Sequence, residues 1–181
     1  MHWEKIEGSF TFQPFYERMV MRFNNATFVE LGAWQGQSIM YLAERVKELN
    51  KKIKLYTVDI FTVALQQVDQ TRILGDDFYN AYLKNIEPLK EYINTIRMRT
   101  DEAYKLFEDE SIDFLFIDAD HSFEAVKKDL KLWYPKVKTG GIIAGHDYMW
   151  VDGRVAMAVN QFFLFTGILP EAGDSWMKVK V

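Results

Sequence analysis

The chain has 181 residues, 49% of them apolar, enough to bury one sizeable core. It has no cysteine, which excludes a disulfide framework, a thiolate nucleophile and a cysteine-built zinc site. A net charge of -4 and a pI near 5.4 give no broad basic surface for a nucleic-acid backbone, so nucleic acid is not expected as a partner. Met1 to Glu7 interleaves charged and apolar residues, and no stretch approaches the roughly 18 uninterrupted apolar residues of a membrane span. The expectation is a cytoplasmic protein without a secretory signal, forming one domain over 1–181, with residues 1–25 as an N-terminal helical segment.

In chain order, short β-rich apolar runs alternate with longer helical stretches, the pattern of a parallel sheet covered by crossover helices. Phe12 to Phe23 predicts an opening helix. Thr27-Phe28-Val29-Glu30-Leu31 predicts a first strand ending at Gly32. Ile39, Leu42, Ala43, Val46 and Leu49 then recur at helical spacing and predict a helix over Gln37 to Leu49. Ile53 to Asp59 predicts the second strand. Ile60 to Asp77 has no clear period and reads as a loop or short irregular helix over the ligand edge. A helix around Phe78 to Ile86, ended by Pro88, leads to a third strand from Ile93 to Met98.

Ile112 to Asp118 is almost continuously apolar, as a strand buried on both faces is. Ser122 then caps a helix that runs through Trp133 and stops before Pro135. After a Thr139-Gly140 turn, Gly141 to Gly145 predicts the fifth strand, and Arg154 to Phe165 another helix with Val155, Ala158, Val159 and Phe162 on one side. Trp176 to Val181 alternates with period two and predicts a half-exposed strand at one end of the sheet. The short return from Gly167 to Asp174 makes it an antiparallel neighbour of the fifth strand.

In open α/β sheets ligands bind beyond the carboxyl ends of the strands. Those ends here are Glu30-Leu31-Gly32, Asp59, Thr100-Asp101, Asp118-Ala119-Asp120-His121 and His146-Asp147, so every predicted parallel strand delivers an acid or a histidine to one edge. Burying so many carboxylates without a ligand is costly. In Gly32-Ala33-Trp34-Gln35-Gly36-Gln37-Ser38, the first glycine turns sharply and the second admits a ligand to the backbone; the helix amino terminus with Ser38 receives a carboxylate. Asp59 stands where a carboxylate accepts both ribose hydroxyls. Carboxylates and imidazoles on adjacent strands suit either a divalent cation or a base that removes a substrate proton. Phe114, Phe116, Phe162 and Phe163 read as core. Trp34, Phe61 and Trp150 fall in loops at the ligand edge, where they either line an apolar pocket or simply pack.

Val29 to Ser38, Val58-Asp59 and the block from Ile112 to Tyr148 resemble the class I S-adenosylmethionine-dependent methyltransferases, in particular a small bacterial and phage branch with Asp-Ala-Asp-His and Gly-His-Asp-Tyr motifs. The resemblance implies a Rossmann-like α/β methyltransferase fold: a mostly parallel seven-stranded sheet with an antiparallel C-terminal strand and helices on both faces. It implies that Glu30, Gly32, Ala33 and Gly36 lie against the methionine part of the cofactor, with Ser38 near its carboxylate. Asp59 would hold the ribose, Asp101 would border the adenine and Asp118 would face the sulfonium. In related O-methyltransferases, acids ending strands four and five bind a divalent cation. The matching positions are Asp118, His146 and Asp147, and His146 departs from the usual carboxylate, which leaves open magnesium, a softer metal, or no metal with His121 or His146 as base. The implied activity is O-methylation of a small sugar-like or phenolic acceptor, with Asp118, His121 and His146 as catalytic residues; a homodimer is compatible with this reading. Two alternatives are an NAD-dependent oxidoreductase, disfavoured by the missing third glycine of Gly-x-Gly-x-x-Gly, and a non-catalytic S-adenosylmethionine-binding protein, which would not need the acid and histidine cluster.

Overall fold

The computed structural model describes residues 1–62, 76–149 and 152–181; most of the Ile60 to Asp77 segment, and Trp150, lie outside the described residues. The elements are α1 (Gln13–Arg22), β1 (Asn25–Leu31), α2 (Gln37–Glu48), β2 (Lys52–Asp59), α3 (Asp76–Ile86), β3 (Ile93–Arg97) and α4 (Thr100–Ala103). They continue with β4 (Ile112–Ile117), α5 (Phe123–Trp133), β5 (Val137–Gly145), α6 (Arg154–Phe162), β6 (Leu169–Glu171) and β7 (Ser175–Val179). The seven strands form one sheet in the order β3-β2-β1-β4-β5-β7-β6. β1 to β5 are parallel, whereas β7 runs antiparallel between β5 and β6.

Strand alternation sends side chains to two cores. Phe28, Phe114, Phe116 and Ile142 pack with α1, α2 and α3 on one face; Val29, Leu31, Leu115, Ile117 and Ile143 pack with α4, α5 and α6 on the other. β1 and β4 are neighbours whose chains wind outward in opposite directions, so their carboxyl ends flank the topological switch point, where such sheets bind ligands. The Ser122 hydroxyl accepts from the Ala125 amide at 3.4 Å, which satisfies a donor at the start of α5.

The fold departs from the sequence reading in four places. β5 begins at Val137, because the expected Thr139-Gly140 turn is a bulge inside the strand: Ile112 pairs with Val137 but Phe114 with Ile142, and Gly140 takes φ +80°. α6 ends at Phe162 rather than Phe165, since Leu164 and Phe165 turn left-handed at φ +51° and +56°. β7 lies inside the sheet and not at its end, because β6 covers it, and Trp176 and Met177 are both buried. β6 itself, Leu-Pro-Glu, is too short to show a period and carries a proline that an edge strand tolerates.

Candidate functional site

The inter-strand hydrogen bonds run past the strands themselves and pin the next residue of each. Gly32 N donates to Val58 O at 2.9 Å, Asp118 N to Leu31 O at 2.8 Å, and His146 N to Ile117 O at 3.2 Å. The predicted edge residues Gly32, Asp59, Asp118 and His146 are therefore fixed by the sheet register. Gly32 takes φ +93°, and a Cβ there would lie 2.0 Å from the Asp118 carbonyl oxygen, so only glycine lets the first turn close over β4. Gly36, at φ +89°, also requires glycine, but its missing Cβ faces Tyr82 and Ile86 of α3 at 3.1 Å. That side of the residue is filled by packing.

Glu30 sits under this turn, 2% exposed. Its Oε1 accepts from Tyr16 Oη at 2.9 Å and from Ser38 Oγ at 2.6 Å, while Oε2 is buried without a hydrogen-bond partner among the described residues. Burial pushes Glu30 up to about 8, and the two hydroxyl donors offset only part of that cost. Ser38, expected near a ligand carboxylate, spends its proton on Glu30. Asp59 is also engaged: Oδ2 accepts from the Ala33 amide at 2.8 Å and the Trp34 amide at 3.4 Å, and Oδ1 accepts from the Phe61 amide at 2.6 Å. It is raised by burial against the pull of these amides. Trp34 packs against Phe78, and Phe61 against Phe78, Tyr79 and Tyr82, all at tilted ring angles.

The second half of the edge is a cluster of two acids and two histidines. His121 Nε2 lies 3.0 Å from Asp147 Oδ2 and 3.5 Å from Asp118 Oδ1; His146 Nδ1 lies 3.2 Å from Asp147 Oδ1 and 3.7 Å from Asp118 Oδ1. One donor atom each from Asp118, His121 and Asp147 fall within 4.8 Å of one another. His121 thus joins the expected set of Asp118, His146 and Asp147, because the turn after β4 folds its side chain back onto the end of β5.

The local charges follow from this packing. Burial raises Asp118, and the hydrogen bond with His121 offsets only part of that. Asp118 in turn raises His121. Burial pulls His146 down, but Asp147 and Asp118 outweigh it and hold it above the ordinary imidazole value. Burial pushes Asp147 up, but His146 and His121 outweigh it and hold it below the ordinary carboxylate value.

Asp101 stands apart from the cluster. Its carboxylate pairs with Arg99 at 2.9 Å and Lys128 at 2.5 Å, which hold it far below the ordinary carboxylate range. Sequence reasoning missed three contributors, all from outside the strand ends: Tyr16 on Glu30, Phe12 with its ring 4.8 Å from that of His146, and Thr11, whose Oγ1 is 3.2 Å from His146 Nε2. No local pattern singles them out, since the opening segment mixes them with Gln13, Glu17, Arg18 and Arg22.

Comparison with known proteins agrees with this architecture. A protein-family profile described as a methyltransferase domain matches residues 29–148. A protein of Acanthamoeba polyphaga mimivirus is 32% identical over 145 residues, which are 76% of this chain and 59% of that protein, so the chain spans only part of that relative's length. Among solved structures, the O-methyltransferase NovP superposes with a TM-score of 0.67 at 14% identity, covering 94% of this chain and 78% of that one. An O-methyltransferase from Bacillus cereus in complex with SAH gives 0.64 at 16% identity, covering 96% and 81%. With two thirds of its residues inside the family match and the strand order of that fold, the chain belongs to the methyltransferase-domain family and has the class I S-adenosylmethionine-dependent architecture.

Proposed function

We propose that the chain transfers the methyl group of S-adenosylmethionine to a hydroxyl oxygen of a small, sugar-like or phenolic acceptor. One observation carries this reading: the Glu30, Gly32 and Asp59 group and the Asp118, His121, His146 and Asp147 group occupy one sheet edge, joined where Gly32 packs on the Asp118 carbonyl. The sulfonium is already activated, so the protein has to hold donor and acceptor in line and deal with one hydroxyl proton. In this reading the cofactor lies along Gly32 to Gly36, with its ribose on the lone pair that Asp59 Oδ1 keeps beyond the Phe61 amide. Its ammonium meets the unpartnered Oε2 of Glu30.

The acid and histidine cluster lies on the acceptor side. Two carboxylates and an imidazole within 4.8 Å fit a divalent cation; the imidazole favours a borderline ion such as zinc, and the carboxylates also suit a harder ion such as manganese. Asp118, His121 and Asp147 would hold it, with His146 Nδ1 as a fourth donor; bound there, a cation would lower the pKa of the acceptor hydroxyl. The test has two stages: calorimetry with S-adenosylhomocysteine, then a labelled-methyl screen over sugars, catechols and amines. Tight binding of a nicotinamide dinucleotide with no binding of S-adenosylhomocysteine would overturn the reading. So would full transfer activity in all three of Asp118→Ala, His121→Ala and Asp147→Ala.

A further inference from the structure

We propose that Thr11 is a positioning residue that, together with the carbonyl of Gly173, holds His146 with its proton on Nε2 and so reserves Nδ1 for a cation at the acid cluster. Thr11 Oγ1 donates to Gly173 O at 3.0 Å and stands 3.2 Å from His146 Nε2. A carbonyl only accepts, so it takes the hydroxyl hydrogen and Thr11 turns a lone pair towards the ring. Nε2 must then be the donor. The other nitrogen, Nδ1, faces Asp147 and Asp118 at 3.2 and 3.7 Å, the direction in which a shared cation would lie.

The rest of the neighbourhood fixes this arrangement. The Phe12 ring packs 4.8 Å from the imidazole at 51°. Gly173 takes φ +68°, and a Cβ on it would lie 2.4 Å from the Thr11 carbonyl carbon and oxygen, so glycine is required for the opening segment to reach the β6–β7 turn. Residues from both ends of the chain therefore meet on one histidine. An outer partner that fixes tautomer and ring plane contributes to ion affinity without touching the ion.

This inference rests on the cation reading above, and the experiment separates the two. Mn2+ is titrated into the full chain without cofactor, with the free ion read by electron paramagnetic resonance, for wild type, Thr11→Ser, Thr11→Val and Gly173→Ala. Thr11→Ser is expected to match wild type. Thr11→Val and Gly173→Ala should bind Mn2+ roughly 10–100-fold more weakly, with S-adenosylhomocysteine affinity unchanged in Thr11→Val. Nitrogen-15 spectra of the Zn2+-loaded wild type should show His146 protonated at Nε2. If wild type binds Mn2+ and Thr11→Val binds it equally well, or if Nδ1 carries the proton in the loaded protein, the role of Thr11 is refuted while the cation reading stands. If wild type binds no cation, the cation reading fails and this inference with it.

Discussion

Replacing Glu30 with glutamine should remove a large part of the pH dependence of stability. Tyr16 and Ser38 both donate to Oε1, so below about pH 8 the proton resides on the unpartnered Oε2, and glutamine reproduces that neutral shape with its amide nitrogen in place of the hydroxyl. The folded value is about 8 and the ordinary value 4.5. Between them the folded state holds a proton that the unfolded state has released, so Glu30 contributes its full stability below pH 4.5 and loses it as pH rises through 8. At about 1.4 kcal/mol per pH unit, the loss across that window is on the order of 4 kcal/mol. Glu30→Gln should therefore match wild type near pH 4.5 and exceed it by a few kcal/mol at pH 8. Urea unfolding at pH 5, 6.5 and 8 measures this, and the difference between the two proteins cancels the contributions of Asp59 and Asp118, which burial raises in the same direction. Parallel curves for the two proteins would refute the reasoning. The same substitution removes the carboxyl that would give up its proton to pair with the cofactor ammonium in the proposed complex, so S-adenosylhomocysteine affinity should fall even as stability rises.

Three further outcomes are expected. Asp59→Ala strands the Ala33 and Phe61 amides and removes the proposed ribose contact, so calorimetry should show binding of S-adenosylhomocysteine weakened by about 1.5–3 kcal/mol and thermal melts a similar loss of stability. Gly32→Ala places a Cβ 2.0 Å from the Asp118 carbonyl at φ +93° and should destabilise by roughly 2–4 kcal/mol or fail to fold, whereas Gly140→Ala, with open space around its Cβ, should carry only the cost of its left-handed backbone of roughly 1–2 kcal/mol. A chelator should abolish methyl transfer while leaving the S-adenosylhomocysteine dissociation constant unchanged. A chelator-insensitive rate that falls as pH drops through the raised imidazole of His121 would assign the proton to that side chain and rule out the cation.

Strand ends were legible because periodicity locates them and the sheet register then fixes the residue after each, which is how Glu30, Asp59, Asp118 and His146 came to one edge from sequence alone. Thr11, Tyr16 and Gly173 were not legible: they reach the edge only through the docking of the opening segment on the sheet and on the β6–β7 turn, contacts that no local pattern encodes. At Gly36 the fold adds a second reason for glycine, since the missing Cβ also makes room for Tyr82 and Ile86 of α3. That both histidines pair with both acids was half legible: His146 continues β5, so the sheet register places it, whereas His121 comes after β4 in a turn, and only the turn's path brings its imidazole to Asp147 at 3.0 Å. That path has a recognisable cost. Trp34, Phe61 and Asp147 take φ +47°, +55° and +56° just beyond β1, β2 and β5, a backbone region that Asp tolerates but that bulky residues such as Trp and Phe occupy only when surrounding structure compels it. Local preference is thus overridden at three strand ends of this edge, as it also is at Leu164 and Phe165 beyond α6, because tertiary packing and not local propensity sets the path of these turns.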